Sequence, residues 1–517
     1  MNADRISDMM RRRREVGVAN VGLKVLMVTS EVVPFAKAGG LGDMVGALAS
    51  ELGRQGHDVR IVLPRYYSVD IERLRRVGGP LGIPLGLREE WSAVYVSRLP
   101  GTDVQAYFLD HQELYGREGI YGSRLEPSFQ DNLRRFALLS RGAFQLCLTL
   151  DWIPDVMHVH DWPAAIVPAC LNGRESAGRF AATGSVLTIH NLGHQGVFPK
   201  ADFRHLPLPP EHFESAGFAD GDNLNLLQAG LVNADILTTV STTYAEEIQT
   251  PEYGCGLDGL LRRRASDLFG VLNGMDYEIW NPEADLLIPA NYSHRNLSGK
   301  GRNKEELQET LGLEVDPDVP VFAMISRLVE QKGFGELCGP THGSLYSICH
   351  DLDLQFVILG TGEPWCENEL TVLAGKLPNL SVNLEFNEAL AHLIEAGADF
   401  FLMPSVYEPC GLSQMYSLRY GTLPIVRRTG GLADTVENYD QDTGEGTGFV
   451  FDLLTPRAIY DTVGWALWAW YNRFEHIEAM RRRAMQKRFT WQESGKRYAD
   501  LYQQAIDRRV GKTPRTW

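Results

Sequence analysis

Short apolar runs rich in β-branched residues recur along the chain, each followed by a turn and then by an amphipathic stretch. The first is Lys24-Val-Leu-Met-Val-Thr29, which leads through a glycine-containing loop into Asp43-Met-Val-Gly-Ala-Leu-Ala-Ser-Glu-Leu52. This order predicts strand, loop and helix. The strand-like pattern returns at Asp58–Leu63, Val156–His160, Ser185–His190 and Ile236–Val240, with helix-like segments between several of these runs. Repeated strand–helix units imply a parallel sheet covered on both faces.

A polar stretch, Asn291 to Lys304, interrupts the pattern before it restarts at Val319–Ile325, Leu354–Leu359, Phe400–Met403 and Leu423–Val426. A length of 517 residues is about three times that of a usual single domain. The expected fold is therefore α/β, with two Rossmann-like doubly wound parallel-sheet domains facing a cleft and ligands at the carboxyl ends of the strands. The expected boundaries are a flexible tail at 1–20, a first domain at 21–265, a second at 266–485, and a closing helix at 486–517. Helical signals after Ala458 run through Trp465, Trp468 and Trp470 towards Tyr498 and Tyr502, so the closing helix is expected to pack back on the first domain.

The composition, 44% hydrophobic and 22% charged, is that of an ordinary globular protein. Fifty Lys and Arg against 66 Asp and Glu leave a net charge of −16, which disfavours nucleic acid and anionic membrane surfaces as partners. An anionic ligand must then be met by particular Lys, Arg and backbone N–H groups. Seven cysteines, an odd number without a CxxC pair, indicate neither a disulfide framework nor a zinc ribbon and fit a reducing cytoplasm. Arg11 to Arg14 lie in a segment that lacks an apolar core and is diluted by Asp4, Asp8 and Glu15, which argues against a transit peptide. No apolar run is long enough to span a membrane. The expected location is the cytoplasm, or a plastid for a plant or algal source.

Three loops could carry chemistry. Lys37-Ala-Gly-Gly-Leu-Gly-Asp43 places a lysine and bare backbone before a helix, where N–H groups can meet a phosphate or a sugar. Ser326-Arg-Leu-Val-Glu-Gln-Lys-Gly333 leaves Arg327 and Lys332 at a strand's carboxyl end, and two cations suit a diphosphate. Tyr407-Glu-Pro-Cys-Gly-Leu-Ser413 puts Glu408 at a loop tip beside the N–H groups of Cys410, Gly411 and Leu412, a mixture that suits sugar hydroxyls. His158 and His160 share one face of a strand and His190 ends another, but no third ligand has metal-site spacing. His158 reads as a core residue, and His160, followed by Asp161 and Trp162, reads as functional.

Together with His158-Val-His-Asp161, Thr188-Ile-His-Asn191, Gly254-Cys-Gly-Leu-Asp-Gly259, Val271-Leu-Asn-Gly274 and Arg427-Arg-Thr-Gly-Gly-Leu-Ala-Asp434, these loops closely resemble the bacterial glycogen synthases and plant starch synthases, from about Val21 to about Tyr502. The resemblance implies the GT-B arrangement and transfer of glucose from ADP-glucose to the non-reducing end of an α-1,4-glucan, with retention and without metal or cofactor. It implies catalytic roles for Glu408, which would hold the glucose, for Arg327 and Lys332 as a diphosphate clamp, and for His160 as a glucose contact. Substrate contacts are implied at Lys37, Gly39, Gly40, Asp43, Asn191, Cys410, Gly411, Leu412, Thr429 and Gly430. A second carboxylate common eight residues beyond the first is replaced by Tyr416, so no paired-carboxylate mechanism is read.

The chain departs from the family pattern at Gln228 and Val406, where Lys and Arg are usual, and over 335–350, which reads poorly as an amphipathic helix. Two alternatives therefore stand beside the synthase: an impaired glucan-binding scaffold, and a synthase that prefers UDP-glucose. A nicotinamide-dependent dehydrogenase lacks its GxGxxG and ribose-binding acid.

Overall fold

The computed structural model describes residues 22–123, 126–339 and 343–511, so the expected tail at 1–20 lies outside the described residues. The run at Lys24–Val28 forms a strand that pairs in parallel with Asp58–Pro64 on one side and Val156–His160 on the other. Gln105–Asp110 extends the parallel set beyond Asp58–Pro64, and Gly184–Ile189 extends it beyond Val156–His160. The remaining edge is antiparallel: Arg88–Arg98 runs against Gln105–Asp110, and Leu81–Leu85 runs against Arg88–Arg98. Gly86 at φ +54 closes that hairpin, and its strands alternate between buried and more exposed positions, the pattern of strands covered on one face.

The second sheet is wholly parallel, with spatial order Leu380–Asn383, Gln355–Leu359, Val321–Ile325, Phe400–Met403, Leu423–Arg427, Phe449–Phe451. Winding starts at Val321–Ile325, proceeds outward on one side, then returns to its other side with Phe400–Met403. The loops leaving those two neighbours diverge and open a crevice at the carboxyl edge. In the first sheet the same switch lies between Lys24–Val28 and Val156–His160.

The chain divides after Thr238 instead of 265, and the closing segment joins the first unit from Ser494 instead of 486. Hydrogen bonds explain the shift. The helix Thr242–Glu247 is capped by Asp434, which accepts the Thr242 N–H at 2.6 Å, while Glu247 caps the helix Gly430–Thr435 by accepting from Thr429 Oγ1 at 2.9 Å and from the Gly430 N–H at 3.1 Å. Each helix thus supplies the other's cap within the second unit. At the far end, Met275 N–H still donates to Phe489 O at 2.9 Å, also within the second unit. Tyr498 and Tyr502 are buried in the first unit, and the Tyr502 hydroxyl lies 2.8 Å from His158 Nδ1.

The polar stretch before the second series is partly a helix, Ser298–Thr310. Lys300, Asn303, Lys304, Leu307 and Gln308 form its buried face, at helical spacing but mostly polar. Lys300 Nζ donates to Ala396 O at 3.0 Å and Thr422 Oγ1 at 2.7 Å, and Lys304 pairs with Asp399 at 2.9 Å. Over 335–350 two short helices, Phe334–Cys338 and Leu345–Asp351, replace one long one, and 340–342 lie outside the described residues. No helix among the described residues is long and apolar enough to cross a membrane.

Gly333 ends the turn that carries Lys332 with φ +82, and a Cβ there would lie 2.0 Å from Pro404 O. Gly333→Ala should lower unfolding free energy by at least ~1–2 kcal/mol, the usual penalty of a left-handed non-glycine residue, read from denaturant midpoints.

Candidate active site

The crevice of the second unit contains a cavity of ≈ 210 Å³ lined by Ser326 and Arg327, which follow one strand, by Met403, which ends its neighbour, with Ser405 just after it, and by Lys332 and Ser413. Arg327 and Lys332 thus line the same cavity. Lys332 Nζ donates to Glu408 Oε2 at 2.5 Å, and Ser405 Oγ donates to the same oxygen at 3.0 Å. Glu408 lies in the loop after Phe400–Met403, but it is buried and held by these two bonds beside the cavity. Arg327 is exposed, and its guanidinium approaches only Gln331 Oε1, at a long 3.5 Å, among the described residues.

Gly411 takes φ +69, which explains the glycine after Cys410. The carbonyls of Cys410 and Gly411 both accept from Gln414 Nε2 at 3.0 Å, which fixes the backbone up to Leu412 and the start of the helix Ser413–Tyr420. The Cys410 side chain packs with Val240, Met275 and Met415, and burial pushes its thiol up to about 12, so it is no nucleophile at neutral pH. Thr429 Oγ1 and the Gly430 N–H, expected from the sequence as substrate contacts, donate to Glu247 Oε1 at 2.9 and 3.1 Å. At position 406, where the family carries Arg, the Val406 carbonyl accepts from Arg427 Nη1 at 2.5 Å.

In the first unit, the loop after Lys24–Val28 carries a residue that the sequence reading missed. Glu31 is buried, and its Oε2 accepts the N–H groups of Ala38 at 2.5 Å and Gly39 at 3.0 Å, while Oε1 accepts the Tyr121 hydroxyl at 2.6 Å. A carboxylate three residues past a strand's carboxyl end was the available signal. Lys37 Nζ pairs with Asp43 at 2.8 Å. A Cβ at Gly39 or Gly40 would meet nothing within 4 Å among the described residues, so their packing does not require glycine there; the turn leaves room for a ligand's close approach.

His158 is a core residue, with Nε2 2.6 Å from Thr188 Oγ1. His160 is fully buried, its Nδ1 lies 3.1 Å from His190 Nε2, and its own Nε2 has no partner among the described residues. Burial holds all three imidazoles well below their ordinary range, His158 and His190 at about 3, so they are neutral at neutral pH. Asp161 adopts φ +53 and accepts the His190 N–H at 2.7 Å. Asn191 Oδ1 accepts the Gly193 N–H at 2.9 Å, which shapes the same loop. Gln228 is turned into the fold, with Nε2 donating to Gly217 O at 2.9 Å and Ala219 O at 2.8 Å; it serves as a loop brace. Among the described residues no group of three or more His, Cys, Asp and Glu is placed to hold a metal ion.

Two outcomes follow from this geometry. Gln228→Leu removes two partly buried bonds and should cost ~1–2 kcal/mol of stability by chemical denaturation while leaving nucleotide affinity within about twofold. Burial raises the Asp161 carboxyl from 3.8 to about 7, against the opposing N–H bonds of His190 and Asn191. The folded chain then keeps a proton that the unfolded chain has lost, so the stability from this group is complete below pH ~4 and lost as pH rises through ~7. Asp161→Asn should gain on the parent by up to ~4 kcal/mol between pH 4 and 7.5 in denaturant melts.

Residues 24–263 match the starch synthase catalytic domain, and residues 305–484 match the glycosyl transferases group 1. A glycogen synthase of Treponema denticola is 55% identical over 488 residues, covering 94% of this chain and 99% of that one. The glycogen synthase of Myxococcus xanthus is 46% identical over 94% of this chain and all of that one. The solved catalytic domain of starch synthase IV from Arabidopsis thaliana, bound to ADP and acarbose, superposes with a TM-score of 0.84 at 30% identity, covering 94% of this chain and 100% of that one. Two doubly wound units, a cationic crevice at a strand switch point and relatives matched along nearly their whole length agree, and the chain belongs to the glycogen and starch synthase family of GT-B glycosyltransferases.

Proposed function

We propose that the chain transfers glucose from ADP-glucose to the non-reducing end of an α-1,4-glucan, with retention at the anomeric carbon and without a metal. The observation that carries this reading is that Arg327 and Lys332 line one cavity, with Glu408 bonded to Lys332 beside it. The cations suit a diphosphate, and the carboxylate suits the hydroxyls of the attached hexose. The ADP and acarbose bound by the Arabidopsis relative support the same donor and acceptor classes.

As the bond from glucose to diphosphate breaks, negative charge builds on the leaving oxygen. Arg327 and Lys332 stabilise that charge more than they stabilise the intact donor, which lowers the barrier as well as aiding binding. Lys332 links the two halves of the donor, since the cation that meets the diphosphate also holds the carboxylate that meets the sugar. In the first unit the neutral His160, whose Nε2 has no partner among the described residues, is a hydrogen-bonding group of the kind that suits a sugar hydroxyl.

ADP release is measured with glycogen and with ADP-glucose or UDP-glucose at equal concentration. Faster turnover of ADP-glucose is expected; faster turnover of UDP-glucose moves the donor assignment, and glycogen binding without turnover of either returns the scaffold reading. Arg327→Ala and Lys332→Ala should each lower kcat/KM by ~2–4 kcal/mol with kcat affected, glucan binding retained and less than additive losses in the double variant. A folded double variant with near-parental kcat would refute the clamp.

A further inference from the structure

The second unit holds another and larger opening, a cavity of ≈ 740 Å³ at the amino edge of its sheet. Asp318, three residues before Val321–Ile325, and Asp399, directly before Phe400–Met403, line it, whereas Arg327 and Ser405 lie past the carboxyl ends of the same two strands. A five-residue strand spans roughly 16 Å, so this cavity is separate from the catalytic crevice.

Its charge runs against that of the chain. Arg295, Lys300, Lys304, Arg481 and Arg482 line it with only three carboxylates, in a protein whose net charge is −16. Lys304 and Arg481 share the buried Asp399, at 2.9 and 2.5 Å, and Glu478 pairs with Arg481 and with Arg482 at 3.1 Å each. Lys300 has no such partner: Nζ donates to the neutral Ala396 O at 3.0 Å, Tyr420 O at 3.2 Å and Thr422 Oγ1 at 2.7 Å, and no carboxylate lies within ion-pair distance among the described residues. A buried cation without a counter-ion is costly, and burial followed by the neighbouring Arg481 holds this ammonium well below its ordinary range.

Two cations are accessible at the mouth. Arg295 is exposed, and no hydrogen bond or ion pair reaches it among the described residues. Arg482 has a side chain 43% exposed, and its Nη1 donates to His294 O at 3.0 Å, which holds the guanidinium against the residue before Arg295. Deeper in, Arg481 has a side chain only 7% exposed, and its Nε lacks a partner among the described residues. The cavity also has an aromatic lining. Tyr471 and Phe474 are each 46% exposed, and Phe474 is braced edge-on by Trp470 at 5.0 Å, whose indole N–H donates to Asp318 O at 2.8 Å. Exposed rings beside fixed cations, in a volume typical of small-molecule sites, suit an anion carried on a carbon skeleton.

We propose that this cavity is a second ligand site, which takes a phosphate monoester of a sugar, with the phosphate on Arg295 and Arg482 and the carbon skeleton on Tyr471 and Phe474. Phosphate is the chemistry these groups recognise: a planar guanidinium matches two of its oxygens, and a dianion supplies the counter-charge that the cavity lacks. The site is independent of the crevice that holds Arg327 and Lys332 and of the reaction proposed there.

Binding is measured by isothermal titration calorimetry on the full chain carrying Arg327→Ala and Lys332→Ala, which removes the cations that would hold phosphate in the catalytic crevice. The probes are ribose 5-phosphate, inorganic phosphate and ribose. Ribose 5-phosphate is expected to bind and ribose not, and adding Arg295→Ala should weaken ribose 5-phosphate about tenfold or more, with Arg295→Lys recovering part of the loss because it keeps the charge without the planar fork. Inorganic phosphate that binds at least about fivefold more weakly assigns the sugar to the aromatic lining, and Phe474→Ala should then erase the difference; inorganic phosphate that binds equally well, with the same dependence on Arg295, makes free phosphate the occupant of the same site. Arg295→Ala alone should leave kcat for transfer from ADP-glucose to glycogen within about twofold of the parent, since distant sites act independently. If the double variant does not fold, Arg327→Ala alone, at an exposed position, replaces it. No heat with either phosphate, or an affinity that Arg295→Ala does not move, overturns the proposal.

Discussion

Parallel strand pairing is the constraint from which the remaining organisation follows. A parallel strand cannot be joined to its neighbour by a tight turn, so each crossover returns along the outside of the sheet and every strand leaves through the same edge. Where winding reverses, two adjacent loops part. In the second unit that place lies between Val321–Ile325 and Phe400–Met403, and the segments that follow them supply Arg327, Lys332, Ser405 and Glu408. In the first unit it lies between Lys24–Val28 and Val156–His160, and the loops there supply Glu31, Lys37, His160 and Asp161.

The protein's acidic excess reappears at short range. Each group that the substrate loops offer to an anion is already met by a carboxylate: Lys37 by Asp43, the Ala38 and Gly39 N–H groups by Glu31, Lys332 by Glu408, and Thr429 with Gly430 by Glu247. Partly buried cations cost less when paired, and the pairs fix side chains that would otherwise sample many rotamers. Arg327 is the exception, exposed and with one long contact among the described residues. It is the clamp cation that gives up least on meeting a phosphate.

Tyr416 gives a structural reason for the absent second carboxylate. It stacks on Trp280 with ring centroids 4.1 Å apart, and Trp280 stacks on His392 at 3.9 Å. His392 Nδ1 lies 2.7 Å from Asp285, whose carboxyl it and Tyr420 hold below the usual range against burial. An acid at 416 would lose the stacking area and bring a second negative charge towards this group. The position anchors the helix that follows the Glu408 loop.

The strands were readable from the sequence because continuous β-branched runs between glycine turns have few other stable forms, and the starts of Val156–His160, Val321–Ile325 and Phe400–Met403 agree with expectation to within two residues. Parallel pairing followed from strand–helix alternation, and with it the strand ends as the place for Arg327, Lys332 and His160. Other features depended on partners far away in the chain. The face made by Lys300, Asn303 and Lys304 reads only as part of a polar interruption until the carbonyls and carboxylate that bury it are in place. The first boundary moved to Thr238 because two short helices exchange caps across nearly two hundred residues, which no local pattern records. Glu31, Tyr121 and the facing of His160 by His190 likewise depend on which loops share a sheet edge. Periodicity and turn chemistry are local and survive in the sequence, whereas hydrogen-bond partners, burial of polar groups and the state of an imidazole are set by distances that exist only after the chain has closed on itself.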